Sequence, residues 1–408
     1  MKVKLLIIGN TLYICSMINR LKSQEISRYM KQFPVVAIIG PRQCGKTTIA
    51  KQLFLSKKND TYYFDLESPA DKSKFKDPEF FLSSLEAKTI IIDEVQRLPE
   101  LFELLRSLVD KNKKAGKFLL LGSASPHLIQ GVSETLAGRI AYSEVFPLNL
   151  TEIYKKQSDI NKHWFRGGFP DAWLSKNDKD CNAWMNHFFR TFVERDLNTL
   201  FGVTFSAELM FKLWKMLGHF NGSVWNAQSF AKGLDVSAVT VNRYIEYLEG
   251  AFMLRKLPAY FTSTKKRLIK SPKVYIRDSG LLHYLSDIHS AKELLFNPNV
   301  GNAWEGYVIE QIMQLLPYHI TPYYYRTHDG SEMDLVLVKG LKPIVCIEIK
   351  TSNNPVLSRG FYESMTDLKC TNGFVVTPYQ QVTYKMSETV TVCGIYDFLK
   401  INLPKFIK

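Results

Sequence analysis

Val35-Val-Ala-Ile-Ile39 runs straight into Gly40-Pro-Arg-Gln-Cys-Gly45-Lys46-Thr47-Thr48, and this junction decides the fold. Five apolar residues in a row, four of them β-branched, suit a strand buried on both faces. The loop that follows has the spacing G-x-x-x-x-G-K-[ST], and Thr48–Phe54 behind it carries a helical pattern. Glycines at those positions let the backbone curl so that its N–H groups converge on phosphate oxygens. The helix N-terminus adds positive potential at the same point. The expected ligand is a nucleotide whose phosphates are surrounded by Gly40, Pro41, Arg42, Gln43, Cys44, Gly45, Lys46, Thr47 and Thr48. Lys46 would reach the β- and γ-phosphates, and Thr47 would offer its hydroxyl to Mg²⁺. Cys44 places a thiol in this loop, which would make activity sensitive to alkylation.

Working outward, three more apolar runs (Tyr62–Asp65, Thr89–Asp93 and Lys117–Leu121) alternate with helical patterns between about residues 23 and 150. Strands interleaved with helices predict a parallel sheet covered on both faces. Thr89-Ile-Ile-Ile-Asp93-Glu94 ends in two carboxylates. Asp93 is expected to hold Mg²⁺ together with Thr47, and Glu94 to polarise the attacking water. Phe118-Leu-Leu-Leu-Gly-Ser123 ends in a hydroxyl suited to sensing the γ-phosphate. Leu136-Ala-Gly-Arg139 follows, and Arg139 is the first candidate for neutralising transition-state charge, within the chain or in a neighbour's site. Arg42 and Arg195 are lesser candidates.

The chain has 408 residues, 46% of them hydrophobic, and a formal net charge of +14. That length fits two or three domains, and the charge suits an anionic partner, nucleic acid first. A generally basic surface is the plainer alternative. The six cysteines are scattered without metal-ligand spacing, so neither a zinc site nor a disulfide framework is indicated and a reducing cytoplasm is expected. Met1–Ile18 is apolar, but Asn10 and Thr11 interrupt it and no small-residue cleavage site precedes Arg20 and Lys22. It is too short and polar to span a membrane and reads as an extra strand or helix, or as an over-extended start upstream of Met17.

Residues 151–220 carry aromatics at helical spacing (Trp184, His187, Phe188, Phe192) and predict a helical lid or connector. Gln228–Met253 reads as helix, turn at Leu234–Val236, helix. Ser237 caps the second helix, Val239, Val241, Ile245 and Leu248 form its buried stripe, and Thr240 and Arg243 point outward. The basic stretch Lys265–Lys273 follows as a presumed wing, giving a winged helix able to contact DNA or RNA, mainly through phosphates. Glu246 and Glu249 on the same helix favour the alternative, a structural or protein-contacting role.

Further on, Asp334-Leu-Val-Leu-Val and Val345-Cys-Ile-Glu348-Ile-Lys350 read as a hairpin across Lys339–Pro343. Glu348 and Lys350, two apart on a strand, share a face. Asp334 starts the adjacent strand, and the helix containing Trp304 supplies Glu305. Glu305, Asp334 and Glu348 could hold a second Mg²⁺ or Mn²⁺, with Lys350 orienting a water or neutralising developing charge. Charged residues serving as ion pairs at strand ends are the alternative. A helical Glu, then Asp, then Glu-x-Lys is the arrangement of the PD-(D/E)XK nuclease superfamily.

The motifs quoted above, with Ile-Asp93-Glu-Val-Gln-Arg97, Leu-Gly122-Ser-Ala-Ser, Arg277-Asp278-Ser-Gly280-Leu, Asn302-Ala-Trp-Glu305 and Ser331-Glu-Met-Asp334, extend from about residue 23 to the end. In this combination the chain resembles prokaryotic AAA-family ATPases fused to a C-terminal domain of unknown function with a restriction-endonuclease-like core. The resemblance implies an α/β fold with ATP as nucleotide, an AAA-type sheet and a lid. It carries the phosphate and magnesium roles onto Gly40, Gly45, Lys46, Thr47, Asp93 and Glu94. The nuclease-like roles fall on Glu305, Asp334, Glu348 and Lys350. The expected layout is an N-terminal extension (1–22), a P-loop core (23–150), a helical lid (151–220), a winged helix (221–271) and a nuclease-like domain (272–408). An ATPase that couples nucleotide state to DNA, with no membrane association and with room for a homo-oligomer, is the leading expectation. A nucleotide-dependent switch or scaffold that binds a protein partner is the alternative.

Overall fold

The computed structural model describes residues 6–8, 11–13, 18–54, 61–85, 89–125, 136–203, 205–261, 267–352, 354–379 and 382–407. Strands β1 (Leu6–Ile8) and β2 (Thr11–Tyr13) pair as an antiparallel hairpin. Five strands then build a wholly parallel sheet: β3 (Val35–Ile39), β4 (Thr61–Asp65), β5 (Thr89–Asp93), β6 (Phe118–Gly122) and β7 (Ile140–Glu144), in the order β4-β5-β6-β3-β7. Alternation along each strand divides the side chains between two cores. Val36 and Ile38 pack with Ile26 of α1 (Ser23–Tyr29) and Ile49 of α2 (Lys46–Phe54). Val35 and Ala37 face the other way, toward Leu101, Leu105 and Val109 of α3 (Leu101–Lys111). Strand β7 is the one element here that the apolar runs do not reveal. Ile-Ala-Tyr-Ser-Glu is half polar because its outer residues lie at the sheet edge.

The next segment is helical, as its aromatic spacing predicts. It comprises α4 (Ser158–Arg166), α5 (Asp178–Thr191), which runs into a π-helical turn at Phe192–Asp196, and α6 (Ala207–His219). Phe188, Phe189, Phe192 and Trp214 fill the space between them.

A small antiparallel sheet follows, with strand order β8-β10-β9, from β8 (Ser223–Val224), β9 (Leu254–Leu257) and β10 (Lys273–Ile276). Between β8 and β9 lie α7 (Ala227–Leu234) and α8 (Ala238–Gly250). Asp235 turns the chain in the left-handed region (φ 53°), and the Ser237 hydroxyl accepts the Thr240 N–H at 3.1 Å, capping α8. Val241, Ile245 and Leu248 are buried as expected. Val239 is not: it is 78% exposed. Strand β10 pairs with both β8 and β9, so the boundary expected at 271/272 is displaced and Lys273–Ile276 belongs to this unit. Lys265 and Lys266 of the expected basic wing lie outside the described residues.

The C-terminal sheet has the order β11-β12-β13-β14-β16-β15. Its strands are β11 (Ile320–Arg326), β12 (Glu332–Lys339), β13 (Lys342–Ile349), β14 (Gly373–Thr377), β15 (Tyr384–Lys385) and β16 (Val390–Gly394). Pairs β13·β14 and β14·β16 are parallel, the others antiparallel. Helix α9 (Ser279–Leu285) and a short helix at Ala291–Phe296 precede α10 (Val300–Met313), which covers one face with Trp304, Val308 and Ile312 against Leu335, Leu337 and Ile347. Helix α11 (Arg359–Asp367) covers the other with Phe361 and Met365 against Val336 and Val338. One continuous core joins the helical segment, the small sheet and the α10 face of this sheet.

Candidate functional sites

The phosphate loop leaves the C-terminal end of β3, where parallel α/β sheets place ligands. Gly40 has φ 149°, and a Cβ there would lie 2.0 Å from the Val145 carbonyl oxygen, so the loop fits against β7 only with glycine. Lys46 is buried, and its ammonium donates to Gly40 O (3.0 Å), Pro41 O (2.8 Å) and Ser123 Oγ (3.0 Å). Ser123 Oγ in turn donates to Glu94 Oε1 at 3.1 Å. Glu94 is itself held at φ 54°, in the left-handed region, at the end of β5. The Thr47 hydroxyl donates to Asp93 Oδ2 at 2.7 Å. Lys46, Thr47, Asp93, Glu94 and Ser123 therefore converge as the sequence predicts. A hydroxyl beside a carboxylate at the foot of a phosphate loop is an oxygen donor set that fits Mg²⁺.

Further side chains complete this site, Tyr63, Glu67, Gln96, Arg97 and Asp196 among them without an expected role. Tyr63 on β4 donates its hydroxyl to Asp93 Oδ2 at 2.8 Å, and burial, with Asp93 beside it, pushes its phenol well up, so it stays a neutral donor. Gln96 hydrogen-bonds Glu94 Oε2. Arg42 reaches out of the loop to Asp196 at the end of the π-helical turn (2.5 Å) and to Glu67 (2.6 Å), which also binds Arg97 at 2.8 Å. Burial disfavours the Arg42 charge, but Asp196, Glu94 and Glu67 more than offset it. Arg195, 67% exposed in its side chain, lies against Asp196 at 3.0 Å. Gln96 and Arg97 sit inside a quoted motif, whereas nothing in the sequence marks Tyr63 or Asp196 as partners of the loop.

Three expectations are corrected here. Arg139 is not at this chain's phosphate site. Its carbonyl oxygen accepts the Val35 N–H at the N-terminal end of the sheet, the end opposite Gly40, and its guanidinium pairs with Asp110 of α3 at 2.6 Å. Residues 20–22 are no separate extension. Arg20 donates to Cys44 O (2.8 Å) and Phe146 O (2.5 Å) and pairs with Glu152 (3.2 Å), bracing the loop from behind. Cys44 itself is fully buried, with Sγ 3.4 Å from Val145 O, which removes the expected exposure to alkylation.

The C-terminal residues also come together. Glu305, Asp334, Glu348 and Lys350 line one cleft of about 620 Å³ with Lys273, Arg326 and Glu332. Pairing of Leu335 with Ile347 sets Asp334 beside Glu348 across the hairpin, and Asp334 Oδ2 accepts the Ile349 N–H at 2.8 Å. Burial, reinforced by Glu305 and Glu348, raises Asp334 well above the usual carboxylate range. Lys350 pairs with Glu348 at 2.7 Å. The second metal expected here finds no support: among the described residues, no three His, Cys, Asp or Glu side chains are grouped to hold an ion. Lys273 stands among these carboxylates: its ammonium bonds Glu305 (2.9 Å) and Glu332 (2.8 Å), while the Tyr275 hydroxyl donates to Glu305 at 2.5 Å.

A chain of ion pairs connects the parallel sheet to α10. Glu144, at the end of β7, pairs with Arg277 at 2.5 Å; Arg277 pairs with Glu310 of α10 at 3.4 Å, and Arg255 of β9 also binds Glu310.

Residues 32–154 match the model of a AAA domain, residues 157–292 that of a domain of unknown function (DUF8612), and residues 300–398 that of another (DUF4143). Over 377 residues the sequence is 38% identical to the uncharacterized protein Rv2008c of Mycobacterium tuberculosis, covering 92% of this chain and 83% of that protein. The chain belongs to the same family. The uncharacterized protein Mb2031c of Mycobacterium bovis matches with the same figures. Among solved structures, the chain is similar to the Walker-type ATPase paby2304 of Pyrococcus abyssi, with a TM-score of 0.44 and 14% identity over 66% of this chain and 96% of that one. The match over residues 32–154, together with the geometry of the phosphate loop, makes the N-terminal unit of this family member an AAA-type P-loop ATPase domain. The 157–292 match treats the helical segment and the small sheet as one unit, in keeping with the core they share. No helix among the described residues is long and apolar enough to cross a membrane.

Proposed function

We propose that the protein binds and hydrolyses Mg-ATP and uses the nucleotide state to control contact with nucleic acid, DNA ahead of RNA. The observation that carries this reading is the convergence of Lys46, Thr47, Asp93, Glu94 and Ser123 at the end of the parallel sheet. Thr47 and Asp93 would hold the magnesium ion, which would supply positive charge to offset that of the phosphates. Lys46 exchanges its carbonyl partners for phosphate oxygens. Glu94 orients and deprotonates the attacking water, with Ser123 fixing its carboxylate and responding to the γ-phosphate. Arg42 and Asp196 carry the loop's position to the helical segment, and the Glu144–Arg277–Glu310 chain carries it to the remaining units.

In this reading the small sheet with α7 and α8 is a winged helix, supported by its helix–strand–helix–helix–strand–strand order and the chain's +14 charge. The C-terminal unit is a restriction-endonuclease-like domain that binds nucleic acid without cutting it, since Lys273 stands among its carboxylates.

The test is the ATPase rate of the purified protein alone and with duplex, single-stranded and branched DNA. Turnover should rise with at least one DNA and lose that stimulation as salt increases. Lys46→Ala should lower turnover by at least ~100-fold, and Glu94→Gln by about 100-fold or more while ATP still binds. Slow turnover indifferent to every DNA would favour a nucleotide-dependent scaffold for a protein partner. That second reading draws on the first helical turn of α8, where Val239 is exposed, and on the exposed Glu246 along the same helix, a surface suited to a protein better than to phosphate.

A further inference from the structure

The cleft between the small sheet and the C-terminal sheet contains an unusual lysine. Lys273 comes from β10, outside the C-terminal sheet, yet only 4% of its side chain is exposed. Its ammonium lies within ion-pair distance of Glu305 on α10 and Glu332 on β12, two carboxylates from two different elements. Tyr324 presents its ring 5.6 Å from the same nitrogen, and Tyr275, two residues along β10, donates to the oxygen of Glu305 that Lys273 also binds. A lysine is seldom buried unless its charge is fully matched. Here the match is made by the carboxylates that line the cleft with Asp334 and Glu348.

We infer that Lys273 is the resident cation of this acidic cleft, occupying the position a divalent ion would take and so excluding metal from the cleft in the folded chain. An ammonium and a metal ion compete for the same oxygens, and a tethered ammonium is present at a far higher effective concentration than a dissolved ion. Lys273 also fastens the small sheet to the C-terminal sheet, because its two partners belong to the latter unit while its backbone pairs with β8 and β9.

The experiment is a Mn²⁺ titration read by electron paramagnetic resonance on the full chain, without nucleotide. All proteins carry Asp93→Asn so that the ATP site does not contribute. Four further variants are compared with this background: Asp334→Asn, Lys273→Met, Lys273→Met with Asp334→Asn, and Lys273→Arg. The background and Lys273→Arg should bind no Mn²⁺ that depends on the cleft. Lys273→Met should gain one ion at least tenfold tighter than any site in the background, and adding Asp334→Asn should abolish it. A folded Lys273→Met that gains no ion would overturn the inference. So would a background protein that binds Mn²⁺ and loses it on Asp334→Asn, an outcome readable even if Lys273→Met does not fold. The titration involves neither ATP turnover nor DNA, so its failure leaves the proposed ATPase standing, and the reverse holds too.

Discussion

Two arginines make opposite predictions at the scale of single residues. Arg139 pairs with Asp110 on the surface, at the end of the sheet remote from the phosphate loop. Arg139→Ala should therefore leave ATP turnover per chain within twofold of wild type, measured at saturating ATP. Arg42 lies within the loop and is the principal partner of Asp196, whose side chain is 5% exposed. Arg42→Ala leaves that carboxylate with only the exposed Arg195, and should cost about 1–3 kcal/mol of stability in denaturant unfolding while lowering turnover as the loop shifts. Adding Asp196→Asn should recover part of the stability, since the uncompensated charge is gone. Spacing made the loop residues legible: a phosphate-binding loop is a local device, and Gly40 through Thr48 carry it whole. The partners Tyr63, Glu67 and Asp196 come from distant positions, and only the folded sheet brings them in.

At the scale of elements, α4 is tied to its surroundings through His163. The ring donates through Nε2 to Leu148 O (3.0 Å) and accepts through Nδ1 from the Tyr307 hydroxyl (2.9 Å), linking the AAA domain to α10. Burial pushes this histidine down to about 4 from the ordinary 6.5, so the folded chain keeps it neutral where the unfolded chain protonates it. Its contribution is complete above 6.5 and is lost as pH falls toward 4. Relative to His163→Gln, wild type should lose roughly 2–3 kcal/mol of stability between pH 7 and 4.5, measured by urea unfolding. Elements built on periodic apolar runs were readable in advance, β3, β5 and β6 nearly to the residue. Strand β7 and the placement of β10 were not. A half-polar edge strand gives no run, and four residues of Lys-Val-Tyr-Ile do not say which sheet they join.

For the whole molecule, the ion chain from Glu144 through Arg277 to Glu310 sets how the units hold together. Arg277→Met leaves buried Glu310 with Arg255 alone and should cost about 3 kcal/mol. Glu144→Gln, nearer solvent, should cost about 1 kcal/mol or less. If the chain is continuous, the double variant should fall short of the sum of the two, a coupling calorimetry or denaturant unfolding can measure. The overall plan of sheet, helical segment, small sheet and C-terminal sheet was legible because each has its own periodicity. Their shared core was not, since it joins residues from Ala124 to Leu403. That sharing bears on how the C-terminal unit can be studied in isolation. A fragment cut ahead of α10 would keep Glu305, Glu332 and Asp334 but leave Lys273 and Tyr275 behind with β10. Excision would strip the carboxylates of their built-in counter-charge, and any metal affinity or strand scission such a fragment displayed would be an artefact of the cut, foreign to the intact chain.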